Sequence, residues 1–197
     1  VIGGNLLNQG TVSPGLSIGT ITAEGDFTNN KGIYDVEINS KGMSDLIKVG
    51  GKAVLNGGEV HLTSEDQPYL FYHPYTIIQA SQVKGKFSRI QAKDFSPFVI
   101  TKLEYHPKEV DIIVKQNISK AANTHNQHNV ARELDGIHHP TKEQNYILNE
   151  IVRLPLSEVR DALDSLSGYQ HTDDLWVGQI VASQFMRRMY DPLKSLV

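Results

Sequence analysis

Up to about Ile118, the chain consists of short stretches in which apolar and polar residues alternate, separated by turn-forming residues. The stretch 33–38, for example, reads Ile-Tyr-Asp-Val-Glu-Ile. Because successive side chains of a β-strand point to opposite faces, this pattern predicts strands with one buried face. Strands are predicted on this basis at 15–21, 33–38, 53–55, 60–62, 75–79, 98–105 and 110–115.

Glycine-rich turns separate the predicted strands. The dipeptide Gly50-Gly51 and the tripeptide 56–58 (Asn-Gly-Gly) predict turns with positive φ, a conformation that glycine adopts at little cost. The strand–turn units recur irregularly, about every ten residues, which leaves a sandwich, a barrel and an imperfect solenoid open. A sandwich is the default from the pattern alone. The very short strands and the Gly and Asn corners favour a parallel β-solenoid instead.

Aromatic residues concentrate between positions 68 and 114. They are Tyr69, Phe71, Tyr72, Tyr75, Phe87, Phe95, Phe98 and Tyr105. The last coil of a solenoid leaves unpaired backbone and an apolar end, which must be covered to prevent end-to-end aggregation. We therefore predict that this region forms an antiparallel, aromatic-rich cap. A closed core explains the aromatics better than a sugar-stacking surface does, because large aromatics dominate protein cores.

The residues after Ile118 contain few glycines and predict helices. Helix starts are predicted at Thr124 with Gln127, at Thr141 with Gln144, at about Ser157, and at Thr172. Gly136 and Gly168 are predicted as helix stops. The chain is thus predicted to divide into a β region, 1–118, and a region of about four helices, 119–197.

Composition narrows the function classes. The 197 residues include 19 Lys and Arg against 22 Asp and Glu, a net charge of −3, without a basic cluster, which disfavours nucleic acid as a partner. Cysteine is absent, so disulfides and cysteine–zinc sites are excluded. No apolar run approaches the roughly eighteen residues that a membrane-spanning helix needs. The sequence begins at Val1 without an initiator Met, and we expect it to be a piece of a longer protein.

Residues 15–19, Gly-Leu-Ser-Ile-Gly, match the G-x-S-x-G motif of hydrolases. That motif requires the serine to sit on a turn between a strand and a helix. Residues 20–23 alternate and are β-branched, so they predict a strand. We therefore do not expect Ser17 to be a nucleophile.

Other candidate chemistry is sparse. His125 and His128 share a helix face, but a zinc site needs three or four converging ligands, and no such pattern is present. The adjacent carboxylates Asp173-Asp174 and Glu65-Asp66 are typical of a helix start and a polar turn. No catalytic, cofactor-binding or metal-ligating residue is predicted, and the chain is not expected to be an enzyme.

Five stretches, in order along the chain, resemble recurrent elements of one family. They are residues 10–21 (GTVSPGLSIGTI), 44–58 (SDLIKVGGKAVLNGG), 75–87 (YTIIQASQVKGKF), 126–135 (NQHNVARELD) and 166–168 (LSG). The chain resembles the junction region of a bacterial autotransporter, a type V secretion protein: the C-terminal end of the passenger and the segment before the translocator barrel. After residue 168 it departs from the family pattern, because Tyr169 and Thr172 replace a Glu and a small residue, while His171 matches.

The resemblance implies a right-handed parallel β-helix end with an antiparallel β cap, called the autochaperone region, followed by helices that lead toward the pore. The implied partners are the protein's own upstream passenger, its own C-terminal outer-membrane barrel and the outer-membrane assembly machinery. The implied location is the cell surface and outer membrane of a Gram-negative bacterium, reached through the periplasm. The segment from Thr172 to Pro192 is expected to approach or enter the pore, or else to pack on the other helices.

The implied role is a non-enzymatic folding and secretion module, a stable segment that templates β-helix folding during export. A new coil has no backbone partners until a neighbour exists, which gives such templating a physical basis. Two other functions stay open: an adhesive or self-associating surface module with exposed β edges, and part of a glycan-active β-helix enzyme with two facing carboxylates.

Overall fold

The computed structural model describes residues 1–15 and 17–168. The chain divides into two compact units, Val1–Lys115 and Gln116–Val197. The first unit consists of β-strands, and the described part of the second consists mainly of helices.

The strands are short, as the alternating stretches predicted. Their bounds are β1 (Leu6–Asn8), β2 (Thr11–Val12), β3 (Thr20–Ala23), β4 (Phe27–Asn30), β5 (Ile33–Ile38), β6 (Leu46–Val49), β7 (Lys52–Asn56), β8 (Glu59–Ser64), β9 (Pro74–Gln79), β10 (Gln82–Lys86), β11 (Arg89–Ala92), β12 (Val99–Tyr105) and β13 (Glu109–Gln116).

Successive strands fall in successive sheets, which is the topology of a β-solenoid. The three sheets have the strand orders β1-β4-β7-β10, β2-β5-β8-β11 and β3-β6-β9-β13-β12. The pairs formed among β1 to β11 are parallel. Three full turns, β3–β5, β6–β8 and β9–β11, follow a partial first turn that contains β1 and β2. The solenoid is therefore confirmed, and the sandwich that the pattern alone suggested is wrong.

Side chains from the three sheets fill the interior in columns. In β5 the residues Tyr34, Val36 and Ile38 are at most 1% exposed and alternate with half-buried neighbours, as the sequence pattern predicted. Ile47 and Ile78 are paired in register on adjacent turns, and both are fully buried. Each turn thus covers the apolar side chains of the turn before it.

One strand prediction was too long. A strand was predicted over 15–21, whereas β3 begins only at Thr20. The N–H of Gly19 donates to the Asp45 carboxylate at 2.7 Å, so a side chain holds this backbone rather than a neighbouring strand.

The glycine corners follow two different rules. Gly57 and Gly58 have φ values of 75° and 87°, so positive φ is confirmed there. Gly50 and Gly51 are not among the residues with positive φ, and that prediction was wrong. A methyl group at Gly50 would instead overlap the carbonyl oxygen of Glu24 on the preceding turn. Close approach of successive turns, rather than φ, explains this glycine.

The last two strands break the parallel pattern. β13 pairs antiparallel with β9, with an irregularity in register between Val110 and Asp111. β12 lies beside β13 and is joined to it by three residues, so the two strands run in opposite directions. These strands correspond to the stretches predicted at 98–105 and 110–115. The antiparallel cap was predicted over 68–114, whereas β9, β10 and β11 in that region pair parallel with the preceding turn, so that prediction was too long.

The second unit begins with a short 3-10 helix, Ile118–Lys120, followed by α1 (His125–Asp135), α2 (Lys142–Arg153) and α3 (Leu156–Leu166). Both predicted capping boxes are present, because Thr124 and Thr141 each exchange two hydrogen bonds with the Gln three residues later. Gly168, with φ of 69°, follows the end of α3. The fourth helix, predicted from Thr172, lies outside the described residues.

Apolar residues of α2 and α3 form the core of this unit. They are Leu148, Ile151, Val152, Val159 and Leu163, all at most 5% exposed. Gln127 on α1 donates to the Asp164 carboxylate on α3 at 2.8 Å. Within the described ranges, no helix is both long enough and apolar enough to cross a membrane.

Candidate functional site at the two ends of the solenoid

The last turn of the solenoid is covered by the segment β12–β13. Because β13 pairs with β9, the outer edge of β9 has a partner. The connection between β12 and β13 supplies two further acceptors: the Lys108 carbonyl accepts from the Ala80 N–H, and the Pro107 carbonyl accepts from the Val83 N–H, both at 2.8 Å. Backbone donors that another turn would otherwise have to pair are satisfied by this segment.

Tyr105 on β12 adds one further acceptor to the cover. Its hydroxyl oxygen accepts a hydrogen bond from the Phe87 N–H at 3.0 Å. Burial raises the pKa of Tyr105, so the phenol stays neutral. The Phe87 ring is 6% exposed, and its centre lies 6.4 Å from that of Tyr34 in the solenoid interior. The cover is uneven, since β10 and β11 are the last strands of their own sheets among the described residues.

The aromatics of the 68–114 stretch are packed into the unit. Tyr69, Phe71 and Phe98 are at most 4% exposed, and the Tyr69 ring stacks on Phe95 with centres 4.9 Å apart. Burial raises the pKa of Tyr75 to about 12, while its hydroxyl donates to a backbone carbonyl. This packing agrees with an aromatic core and leaves no row of exposed rings for sugar stacking within this stretch.

The opposite end of the solenoid is open. β1, β2 and β3 are the outermost strands of their sheets, and the described residues add only one bridge beyond them, between Ile2 and Ala23. Leu6 aligns with Phe27, and Phe27 aligns with Ala53. Phe27 and Ala53 are fully buried, whereas Leu6 is half-buried. This end therefore presents free strand edges and an incompletely covered apolar column.

Two asparagines stack beside this open end. Asn8 and Asn29 occupy the same register position on adjacent turns and are 5% and 0% exposed. Asn8 Nδ2 donates to Asn29 Oδ1 at 2.7 Å and to the Ile33 carbonyl at 2.9 Å. Asn29 Nδ2 donates to the carbonyls of Gly57 at 2.8 Å and Gly32 at 3.1 Å. The two amides thus tie three successive turns together.

Ionisable side chains on the outer face connect the three full turns. His61 lies 3.4 Å from the Asp35 carboxylate and 3.2 Å from that of Glu59. Glu59 also pairs with Arg89 at 2.7 Å, and these partners lower its pKa, the Arg89 hydrogen bond most strongly. Because the four side chains are partly exposed, water screens these pairs and they contribute little to stability. These pairs hold the strands of successive turns in register, and we assign them no catalytic role.

A buried carboxylate holds the loop ahead of β3. Asp45 is fully buried, and its oxygens accept the N–H groups of Gly19 at 2.7 Å and Glu37 at 2.9 Å. Burial raises the pKa of Asp45, and burial together with the charges of Asp45 and Glu65 raises that of Glu37. Raised carboxyl pKa values are common in active sites, but here both oxygens of Asp45 are engaged by backbone. The geometry makes Asp45 an anchor.

The serine motif lacks the surroundings of a hydrolase elbow. Ser17 lies in a bend, and the next element is the strand β3 rather than a helix. The Glu65 carboxylate, from one of the predicted polar turns, accepts the Ile18 N–H at 3.1 Å. Its neighbour Asp66 accepts hydrogen bonds from the N–H and hydroxyl of Ser40. Both carboxylates therefore stabilise loops.

The histidine and acidic candidates of the helical region do not assemble a site in the described part. His125 and His128 both lie on α1. In residues 1–15 and 17–168, no group of three or more His, Asp or Glu side chains is arranged to hold a metal ion. Asp173 and Asp174 lie outside the described residues.

Sequence reasoning missed the Asn8–Asn29 pair. A usable signal is present, because each asparagine is followed within three residues by a glycine, Gly10 or Gly32. The 21-residue separation, however, shows its meaning only once the turn length is known. Asp45 was missed for a similar reason: its partners, Gly19 in the loop ahead of β3 and Glu37 in β5, are 26 and 8 residues away along the chain.

Comparison with known proteins gives no family: no family model matches the chain, and no curated protein matches it. The contrast between the covered and the open end, together with the ordered sequence elements, carries the functional conclusion.

Proposed function

We propose that this chain is a non-enzymatic folding and secretion module of an autotransporter, whose capped β-helix end templates further coils during export across the outer membrane. The observation that carries the proposal is the difference between the two ends. At one end β12–β13 continues the sheet of β9 and leaves β10 and β11 as edge strands, and at the other end β1 and β2 have free edges, all within the described residues. The ordered elements between residues 10 and 168 support the choice of family.

The two ends give growth a direction. A strand that settles beside β1 gains backbone partners at once and covers Leu6, whereas a strand that forms in isolation has neither. At the other end, β13 occupies the edge of β9, so a further coil cannot pair with that strand, although β10 and β11 are the last strands of their own sheets among the described residues. Coils are therefore added on the N-terminal side, which suits the export that the resemblance to autotransporters implies, in which the passenger emerges with its C-terminal part first and folds without ATP.

The proposal also specifies the hand of the coil, the partners of the chain and its location in the cell. The coil is taken as a right-handed β-helix, the hand that parallel crossovers adopt in nearly all proteins. The partners are the upstream passenger, the C-terminal outer-membrane barrel of the same protein and the outer-membrane assembly machinery. The helices after residue 116 form the junction toward the barrel, at the cell surface of a Gram-negative bacterium.

Refolding of the chain from denaturant tests the direction of growth. Pulsed hydrogen exchange should protect the amides of β9 and β13 before those of β1 and β4. This order is expected because β9 has a paired strand on each side, β6 and β13, whereas β1 has a paired strand on one side only, β4. Earlier protection of β1 and β4 would contradict the proposal.

Export of the intact protein tests the role itself. Phe87→Ala removes a ring that is 6% exposed and should cost about 3–5 kcal/mol, a large part of the stability of a domain of this size. The upstream passenger should then reach the cell surface unfolded, so that protease added to the cells digests it. Ile100→Ala, at a β12 position that is 49% exposed, is the matched control and should leave the passenger folded. A fully folded surface passenger in the Phe87→Ala protein would overturn the role.

A second candidate is a self-associating surface module, favoured by one observation: Leu7 on the free edge strand β1 is 58% exposed. Analytical ultracentrifugation discriminates the two. Association that disappears with Leu7→Lys but persists with Met43→Lys, at another exposed apolar position, would favour self-association. A monomer at every concentration would count against it.

A further inference from the structure

The asparagine pair beside the open end has a direction. Asn8 sends both amide hydrogens onto the following turn, to Asn29 Oδ1 and the Ile33 carbonyl. Asn29 Oδ1 accepts the hydrogen bond from Asn8 Nδ2. Asn29 Nδ2 in turn donates to the Gly57 carbonyl on the next turn toward the cap. Amide donors thus point toward the cap, and amide oxygens point toward the open end.

The column of asparagines does not continue to the next turn. Leu55 holds the position in register with Asn29 and is 2% exposed, so an aliphatic side chain is also compatible with this column. At the open end, Asn8 Oδ1 accepts one hydrogen bond from the described residues, from the Gly10 N–H at 3.2 Å. A carboxamide oxygen has two lone pairs, so one acceptor site on Asn8 remains for a donor from a preceding turn.

A column of glycines makes room for these amides. Gly10, Gly32 and Gly58 each come directly before or at the start of a strand of the second sheet and follow one another turn by turn, since the carbonyls of Gly10 and Gly32 accept from the strand starts of the next turn. A methyl group at Gly32 would overlap the Asn8 carboxamide, and one at Gly58 would approach Asn29 Nδ2. Each glycine therefore seats the asparagine of the turn before it.

Gly10 is the one glycine of this column over which no described asparagine packs. A methyl group built on Gly10 would meet no atom within 4 Å. The space over Gly10 and the acceptor site on Asn8 Oδ1 lie at the same corner of the first turn. Together they resemble the arrangement that Gly32 and Asn29 offer to Asn8, with one residue between Asn8 and Gly10 and two between Asn29 and Gly32.

We infer that the open end selects a preceding β-coil that carries an asparagine in register with Asn8, seated over Gly10 and donating to Asn8 Oδ1. This inference rests on the proposed addition of coils at this end and names the chemistry of the partner. A carboxylate at that position has no hydrogen to donate and would place a second acceptor against Asn8 Oδ1. An aliphatic side chain would leave Asn8 Oδ1 without a second donor. Coils with either residue bind less tightly.

The chain can supply its own test coil. Inserting a second copy of residues 8–28 between Leu7 and Asn8 adds one turn of 21 residues, the separation of Asn8 from Asn29. Three versions are compared: the unchanged copy, and copies that carry Asn8→Asp or Asn8→Leu in the inserted segment only. Hydrogen exchange of the inserted residues then reports how firmly the added turn is docked.

The unchanged copy should open at least about tenfold less often than either variant, the ratio that corresponds to one buried hydrogen bond. Asp is nearly isosteric with Asn, so a difference between them reports the lost donor and the added charge rather than the shape, while Leu removes the donor without adding a charge. Equal protection of all three copies would overturn the selection while leaving the templating role intact. An added turn that is unprotected in all three would contradict both.

The parent chain provides a second readout through Gly10→Ala. In the parent this change should leave exchange and stability unaltered, because the methyl group meets no atom. In the extended chain, the same change at the original Gly10 should make the inserted asparagine-bearing turn open about tenfold more often. An unchanged extended chain would show that Gly10 is not the seat.

Discussion

The hydroxyl of Tyr105 is expected to hold the last turn of the solenoid closed, and Tyr105→Phe tests this with the smallest possible change. The Phe87 N–H donates to this oxygen at 3.0 Å, and the amide is partly buried. The substitution removes the acceptor and keeps the ring. The contact of the ring with the Lys86 ammonium, 5.4 Å from its centre, also remains.

The magnitude follows from leaving one donor unpaired. A buried donor without a partner costs about 1–3 kcal/mol, and because this amide is only partly buried we expect about 1–2 kcal/mol. With a urea dependence of about 2 kcal/mol per molar, the unfolding midpoint should fall by roughly 0.5–1 M. The Phe87 amide should exchange about 5- to 30-fold faster.

Urea unfolding and hydrogen exchange measure both quantities on the same samples. Tyr146→Phe is the matched control, because Tyr146 lies on α2 and is 49% exposed. It should change neither the midpoint of the β unit nor the exchange of Phe87. If Tyr105→Phe leaves the Phe87 amide as slow as in the parent, the hydroxyl does not close the last turn and the reasoning is refuted.

Three further predictions use other parts of the chain. Gly58→Ala should destabilise the β unit by more than about 2 kcal/mol in urea unfolding, because φ is 87° and the methyl group would overlap a carbonyl oxygen; a loss as small as that of Gly10→Ala would contradict this. Glu37 and Asp45 have raised folded-state pKa values, so their contribution favours folding below the ordinary values of 4.5 and 3.8 and is lost as the pH rises through the raised values. Glu37→Gln should therefore flatten the fall in stability as the pH rises above 4.5, and an unchanged slope would argue against an interaction of Glu37 with Asp45. Thr124→Ala should reduce the helical circular dichroism signal on heating, with a loss of about 1 kcal/mol from the cap of α1, and an unaltered melting curve would show that the capping box is dispensable.

The sequence by itself determined the elements whose signals are local. The alternating stretch 33–38 became β5 with the bounds Ile33–Ile38, and Thr124 and Thr141 opened helices through capping boxes that span only four residues. Positive φ at Gly57 and Gly58 was likewise readable from the tripeptide that contains them. In each case the interacting groups are a few residues apart, so the pattern contains the whole interaction.

Only the tertiary structure decided which strands meet and which residues share a column. Asn8 pairs with Asn29, Phe27 with Ala53, and Ala53 with Val83, at separations of 21, 26 and 30 residues. Because the loops between strands differ in length from turn to turn, no fixed period exists that would place Asn8 over Asn29 from the sequence alone. The choice between sandwich and solenoid was open for the same reason: alternating residues bury one strand face in either fold, and only the partner of each strand edge, fixed by the length and path of the loops, separates them.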